Sequence, residues 1–464
     1  MSIYTITDFG LYKQDLKVSE ADKLEYGEIY TPFSLIHSML DLFDPVVFTD
    51  PQKTWLDIGA GRGYFSMLLF ERLNKGLAQV LPDAAERKTH IVETMLHLVE
   101  IKESNVACLR AMFGPRAAIT QADFTTDLDE KTYDYIIGNP PYNAHGMKKV
   151  PTNTVRKKTQ DGSTLWTQFI QRALPLLTPE TGQLCLIVPS LWLKPDKQHI
   201  HSLLTRYKIE KIHCLSSTET NAVFKGEAQT PTCYFLLTNT AAASLNQIQL
   251  YDTDRQAYVH FRHVSGRAIP LFGSQLIQKI QPYVEAAGAL KVHKTNMPPK
   301  KSRFTLELYN AAAYPYLNIT TCLLDGLQPV LSLNSSDTPQ AFHGQKKLVL
   351  AHKMYGFPYW DKHGTYGIAN RDNYVILGKT DAEFEQLAAF LSTKFALYLF
   401  EAARYRMRYL EKYAFEFIPD VTRLPGFPSA QELSEETVAA FFGLDAADKK
   451  YILGLHKRNY KRFI

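Results

Sequence analysis

From about residue 53 to residue 238 the chain alternates short apolar strands with helical patterns, and no other feature restricts its fold as tightly. Strand, helix, strand, helix in succession closes as a mostly parallel sheet covered by helices. "KTWLDIGAG" reads as a strand breaking into a glycine turn, and "YFSMLLFERL" as the helix after it. "LHLVEI" is a second strand and "SNVACLRAMF" its helix. "YDYIIGN", "GQLCLIVPS" and "TPTCYFLLTN" are later strands, with the helical "TLWTQFIQRALPLL" between the first two of them. The rhythm stops at the small, polar "TNTAAASLNQ", residues 238–247, which has the composition of a domain edge. We therefore expect an α/β domain over residues 1–245 and a second, α+β domain over residues 246–464. In the second part "KLVLAHKMYGFPYW" and "GTYGIANRDNYVIL" look like hairpin strands, and "FEQLAAFLSTKFALYLFEAARYRMRYLEKY" reads as helical.

The turn "LDIGAGRGYF" sets Gly59, Gly61 and Gly63 between strand and helix, where bare backbone and a helix N-terminus can face a ligand. Its spacing is G-x-G-x-G, not the dinucleotide G-x-G-x-x-G, and Asp57 precedes it. A carboxylate there does nothing for an anion and suits a ligand with positive charge, such as the sulfonium and ammonium of S-adenosylmethionine. Glu100, closing the second strand, can accept from ribose hydroxyls, and Asp123 from an adenine amino group beside the ring of Phe124. Asp57 and Glu100 stand 43 positions apart, against the usual ~20, so "NKGLAQVLPDAAERK" must be an excursion. Glu93 is the fallback for the ribose acid.

"YDYIIGNPPYN" ends a strand on an amide, two prolines and a ring. Proline lacks the backbone donor but keeps its carbonyl. Asn139 and Pro140 therefore offer two rigid acceptors, Pro141 stiffens the corner and Tyr142 presents a flat surface. Two acceptors of this kind suit an exocyclic amine. Accepting both of its N–H groups draws the nitrogen toward tetrahedral geometry and frees its lone pair, so no charged base is required. A Pro-Pro pair after a strand can also be a stop signal alone; its place downstream of the glycine turn and the ordered acids favours chemistry.

In these motifs the sequence resembles the N6-adenine DNA methyltransferases of type II restriction-modification systems, in the arrangement with the cofactor motif before the catalytic one. The resemblance covers residues ~26–240 by ordered motifs. It implies a Rossmann-like S-adenosylmethionine-dependent methyltransferase fold, with a mixed, mostly parallel seven-stranded sheet, followed by a target recognition domain. "YGEIYTPFSLIHSML" would be the N-terminal cofactor segment, with Thr31 and Pro32 holding the methionine part. "GNPPYN" would be the catalytic motif, and Phe224 in "NAVFKGEAQTPTCYFLL" would stack on the far face of the flipped base opposite Tyr142. Expected partners are S-adenosylmethionine and double-stranded DNA, with a restriction endonuclease acting separately if at all. A monomer is expected.

The remaining composition sets limits. Net charge is +5, which permits a polyanionic partner without demanding one; "VRKK" at 155–158, "PPKKSR" at 298–303 and the final "KKYILGLHKRNYKRFI" are local basic clusters. Arg404 and Arg408 would share a helical face. Five scattered cysteines without a C-x-x-C pair argue against a disulfide framework or structural zinc, and His343, His352 and His363 fit no metal spacing. No stretch has the length of a membrane span and the N-terminus lacks a secretory pattern, so a cytoplasmic protein is expected. RNA adenine methylation, protein glutamine methylation and a non-catalytic DNA-binding subunit are the competing readings.

Overall fold

The computed structural model describes residues 19, 25–26, 28–127, 130–143, 164–228, 230–243, 245–306, 312–325, 328–352, 357–405 and 410–454. Its first compact unit is built on one nine-stranded sheet. The central strand β1 (Trp55–Asp57) lies parallel between β2 (Leu96–Glu100) and β4 (Tyr135–Gly138). β3 (Ala118–Gln121) extends β2, and β5 (Gln183–Pro189) extends β4, both in parallel. β7 (Thr232–Ala241) then inserts antiparallel between β5 and β6 (Tyr207–Leu215). This seven-strand core is the sheet expected from the sequence. β8 (Leu245–Asp252) and β9 (Ala257–Val264) add to it beyond β6, giving the order β3-β2-β1-β4-β5-β7-β6-β8-β9.

Strands covered on both faces read as continuous apolar runs, and Leu184 to Val188 of β5 are all at most 1% exposed. Trp55 of β1 stacks on Tyr135 at 4.2 Å and on Phe48 at 5.4 Å, tying the sheet centre to the layer that helix Phe33–Leu40 shares. The excursion ahead of β2 is ordered: Asp83 caps helix Ala84–His90, and the Arg87 guanidinium donates to the Asn74 side chain and to the carbonyls of Leu81 and Pro82. The extra residues form this helix and a π-turn, and Glu100 still lands at the end of β2.

Two sequence readings need correction. The run 238–247 is not a linker, since β7 continues to Ala241 and β8 begins at Leu245; threonine and alanine sit as well in a strand as in a spacer. The first unit comprises Met1–Tyr251 and His260–Gly266, and the second Asp252–Val259 and Arg267–Ile464, so a boundary at 245 falls inside the sheet. The long helical stretch is also broken. Helix Asp381–Phe390 ends and helix Lys394–Ala402 starts anew, with the Thr393 hydroxyl accepting from the Ala396 N–H at 3.1 Å. Arg404 lies past that helix and pairs with Glu401 at 3.0 Å, while Arg408, residues 155–158 and residues 455–464 lie outside the described residues.

The second unit carries two four-stranded sheets, one ordered β10-β17-β14-β15 and one β11-β13-β12-β16. The first joins β14 (Lys347–Ala351) to β15 (Tyr359–Asp361) and β17 (Asn373–Ile376), all antiparallel, with β10 (His293–Lys294) outside β17. β14 and β15 pair as expected from "KLVLAHKMYGFPYW", whereas in "GTYGIANRDNYVIL" β17 pairs with β14 and Gly367–Ile368 joins the other sheet. The second joins β12 (Tyr316–Asp325) to β13 (Gln328–Ser336), β11 (Phe304–Thr305) and β16 (Gly367–Ile368). The exposed Lys300, Lys301 and Arg303 lead into β11. At the end of β14 the Lys347 ammonium is fully buried and donates to the Phe342 carbonyl at 3.0 Å, the Gln345 carbonyl at 3.1 Å and Asp361 Oδ2 at 2.6 Å. Asp361 is completed by the backbone N–H groups of Thr365 and Tyr366, so every proton of the ammonium has an acceptor.

Candidate active site

The parallel strands reverse their order between β1 and β4, and a crevice forms beyond the carboxyl ends of strands at such a point. Here it is a cavity of about 280 Å³ in the first unit, walled by the loops after β1, β2, β3 and β4 and by the segment at 28–31. The β1 loop is fixed by backbone bonds on both sides: the Ile58 N–H donates to the Ile137 carbonyl and the Ala60 N–H to the Val99 carbonyl. Glu100 is 8% exposed, and its carboxylate accepts from the Gly61 N–H at 2.7 Å and the Lys102 N–H at 2.8 Å. Burial pushes its proton affinity up and these two donors pull it down. A carboxylate has about four lone-pair sites, so acceptor capacity remains on the cavity side.

Asp57 lies beneath the loop at 0% exposure, holding the Ser66 hydroxyl at 2.7 Å. Burial raises its carboxyl from the usual range to about 7, and the nearby Glu100 adds to that, against the Ser66 hydroxyl and the Gly59 and Ser66 backbone. A carboxyl raised on folding binds its proton more tightly in the native state, so unfolding releases protons. The contribution of Asp57 is therefore full below pH ~4, falls by about 1.4 kcal/mol per pH unit at its steepest and is spent above pH ~7. Urea titrations across pH 4–8 should show this slope in the ligand-free protein and a flatter curve in Asp57→Asn.

Gly63 caps helix Tyr64–Gly76 at φ +83°, and a Cβ there would stand 2.7 Å from Leu109 Cδ2. Gly63→Ala should cost about 1–3 kcal/mol in thermal or urea unfolding, since both the backbone and the helix behind it resist a side chain. Gly59 differs: no heavy atom lies within 4 Å of where its Cβ would be, and the residue lines the cavity. Its want of a side chain keeps space open for a ligand.

After β4, Asn139 turns its amide nitrogen toward the N-terminal segment, donating to Thr31 Oγ1 at 3.1 Å and the Ile29 carbonyl at 3.4 Å. Its Oδ1 is left buried with no hydrogen-bond partner among the described residues. The Tyr142 carbonyl accepts from the Leu165 N–H at 3.1 Å, which pins the far side of the corner. The Tyr142 hydroxyl is buried without a partner among the described residues, and burial pushes it well above the ordinary phenol range. Beyond β3, the Asp123 carboxylate holds the Thr125 N–H and hydroxyl at 2.8 and 2.7 Å, and Phe124 stacks on Phe169 at 5.2 Å.

The cavity thus gathers Thr31, Gly59, Gly61, Glu100, Asp123, Phe124, Asn139, Pro140, Pro141 and Tyr142. Four expected site residues do not line it. Asp57 and Gly63 support its floor, and Pro32 starts helix Phe33–Leu40, its carbonyl accepting from Leu35 and Ile36. Phe224 closes helix Ser217–Val223 at 2% exposure and packs in the core of the unit. Glu93 is engaged with Arg116 at 2.9 Å and stays outside as well. The sequence reading missed Glu28, which takes Asn105 Nδ2 at 2.7 Å and the Lys102 ammonium at 3.3 Å, and missed Tyr30, whose ring faces the Arg62 guanidinium at 5.0 Å. Glu28 and Tyr30 lie inside the quoted cofactor segment, so the signal was position alone. Among the described residues no group of three or more metal-binding side chains comes together, and no helix is long and apolar enough to cross a membrane.

Comparison with known proteins adds a family. Residues 71–221 match the Eco57I restriction-modification methylase family, which bears out the resemblance read from the motifs. An uncharacterized adenine-specific methylase of Mycoplasma pneumoniae is 37% identical over 78 residues, 16% of this chain and 18% of that protein. A tRNA1(Val) (adenine(37)-N6)-methyltransferase of Tolumonas auensis is 30% identical over 137 residues, 30% of this chain and 52% of that protein. The chain thus spans about half or less of these relatives' lengths. Among solved structures, the Type IIL restriction-modification enzyme MmeI in complex with DNA aligns over 86% of this chain and 68% of its own at a TM-score of 0.49 and 12% identity. A modification subunit of a type I restriction enzyme from Vibrio vulnificus aligns over 56% and 53% at a TM-score of 0.37 and 16% identity. The core order β3-β2-β1-β4-β5-β7-β6 with β7 antiparallel, together with the family match, is the fold of S-adenosylmethionine-dependent methyltransferases, and S-adenosylmethionine is the cofactor it implies. The residues fit it, with open space at Gly59 and a backbone-held acid at Glu100.

Proposed function

We propose that this chain is a site-specific DNA adenine N6-methyltransferase, the modification enzyme of a restriction-modification system, in which the second unit reads the target and the adenine is rotated out of the duplex into the cavity. The observation that carries the reading is the Asn139 amide, whose nitrogen is committed to Thr31 and Ile29 while Oδ1 is buried without a partner. A buried acceptor of this kind costs free energy unless a ligand donor meets it. An exocyclic amine is such a donor.

S-adenosylmethionine, when bound, supplies a methyl group on a positively charged sulfur. The Asn139 oxygen and the Pro140 carbonyl would accept the two amine N–H bonds and localise the nitrogen lone pair, and the proton that the methylated amine sheds would pass to solvent. Pro141 keeps both acceptors still, and the Tyr142 ring packs on the base. Glu100 takes the ribose hydroxyls. Asp123 has its outer oxygen for the cofactor's adenine, and Phe124 lies against that ring. Thr31 carries the methionine end, with Pro32 starting the helix behind it, over a floor of Asp57, Gly59, Gly61 and Gly63. Phe224, buried as it is, reaches a flipped base only through rearrangement of the turn after its helix.

One relative favours a second reading: the Tolumonas auensis protein is named for tRNA adenine, so RNA adenine is the alternative substrate. The protein should be incubated with S-adenosylmethionine and unmodified genomic DNA, and in parallel with unmodified tRNA. Single-molecule sequencing should find N6-methyladenine at one short DNA site. Methyl transfer to tRNA alone would replace DNA by RNA, and cofactor binding without transfer to either would sink both.

A further inference from the structure

The amide of Asn139 must present its oxygen, and not its nitrogen, to an incoming amine. We propose that Thr31 is a positioning residue that holds this orientation, a role additional to contact with the cofactor; it rests on Asn139 being the amine acceptor. The two groups are 108 residues apart in sequence and meet because the N-terminal segment crosses the carboxyl end of β4. The Ile29 carbonyl can only accept, so it sets the sense of the amide, but at 3.4 Å it holds weakly. The Thr31 hydroxyl at 3.1 Å supplies the shorter bond. Thr31 is 4% exposed, so water cannot take over that bond at no cost. With both contacts on one short segment, the amide plane is fixed from one side and Oδ1 faces away from it. The same segment lines the cavity at Ile29, Tyr30 and Thr31. Ligand contact along it therefore bears directly on how firmly the amide is held.

The test uses the full chain labelled with ¹⁵N-asparagine, with S-adenosylmethionine present, the Asn139 side-chain signals being those that vanish in Asn139→Ala. Thr31→Val keeps the shape and deletes the hydroxyl, and Thr31→Ser keeps the hydroxyl. Side-chain amide exchange at Asn139 should be slow in the parent and in Thr31→Ser, and faster by about tenfold or more in Thr31→Val. The kcat for methyl transfer should fall about 10- to 100-fold in Thr31→Val and stay within about threefold of the parent in Thr31→Ser. The KM for the cofactor should rise in Thr31→Val, where the methionine end also loses the hydroxyl, so amide exchange, read with the cofactor at saturation, and kcat carry the test, with Thr31→Ser as the rescue. Unchanged exchange in Thr31→Val, or equal loss of kcat in both variants, would overturn the proposal. Failure of the DNA reading looks different: no methyl reaches DNA in the parent, while the exchange pattern still separates valine from serine and supports the positioning role.

Discussion

Asn139→Ala should lower methyl transfer by about 10³-fold or more while S-adenosylmethionine binding changes by less than about threefold. The alanine removes an acceptor that meets the reacting nitrogen and leaves the cofactor walls at Gly59, Gly61 and Glu100 in place. It also frees Thr31 and Ile29 from the amide, a local loss of about 1 kcal/mol that the parallel sheet behind the corner can bear. Initial rates with labelled methyl groups, beside calorimetric titration of the cofactor, separate the two effects. Turnover above about a tenth of the parent's would reduce the Asn-Pro-Pro-Tyr corner to a turn.

Asp361→Ala should destabilise the second unit by about 3–5 kcal/mol. Its partner Lys347 is held at 0% exposure by two carbonyls and the Asp361 carboxylate, and carbonyls alone do not balance a buried ammonium. Burial already draws the Lys347 ammonium below the ordinary lysine range, with Asp361 acting against that. Without the carboxylate the lysine must give up its proton or drag water into the sheet. Urea unfolding read by tryptophan fluorescence should show an early transition, since Trp360 adjoins Asp361 on β15, while cofactor binding to the first unit serves as a control. Joint replacement of Lys347 and Asp361 by Met and Leu should recover part of the loss, since it removes the unpaired charge while the Thr365 and Tyr366 N–H groups and the Phe342 and Gln345 carbonyls lose their partners. Equal damage from the single and the double change would mean that volume, not charge, matters at this position.

Much of the first unit was legible because its glycines, acids and prolines stand at strand ends, where spacing alone fixes their place. Glu100 survived an insertion of a whole helix since the apolar strand before it marked the end independently. Phe224 was not legible: an aromatic after a helix reads alike whether it turns to a cavity or to the core, and here Leu236 and Tyr234 lie in the same core. The break at Thr393 was available as a cap signal but lay inside an unbroken apolar period, which outweighed it. Thr31 was readable as part of a segment, yet its bond to Asn139 depends on a crossing of chain that no local pattern encodes. The boundary near 245 failed for a compositional reason, because Thr, Asn and Ala suit an exposed strand as well as a spacer.

That boundary has a further consequence. The chain passes from the first unit to the second after Tyr251, returns at His260 and leaves again after Gly266. Two units stitched in this way cannot be exchanged as a cassette at one junction. A recombination event that brought in a foreign second unit after residue 245 would also bring foreign β8 and β9, and β8 would have to match Lys211 and Ile212 of the host's β6. Replacing the second unit on this scaffold is therefore a problem of sheet register first: a seam after Gly266 keeps β8 and β9 whole but leaves Asp252–Val259, a part of the second unit, with the host.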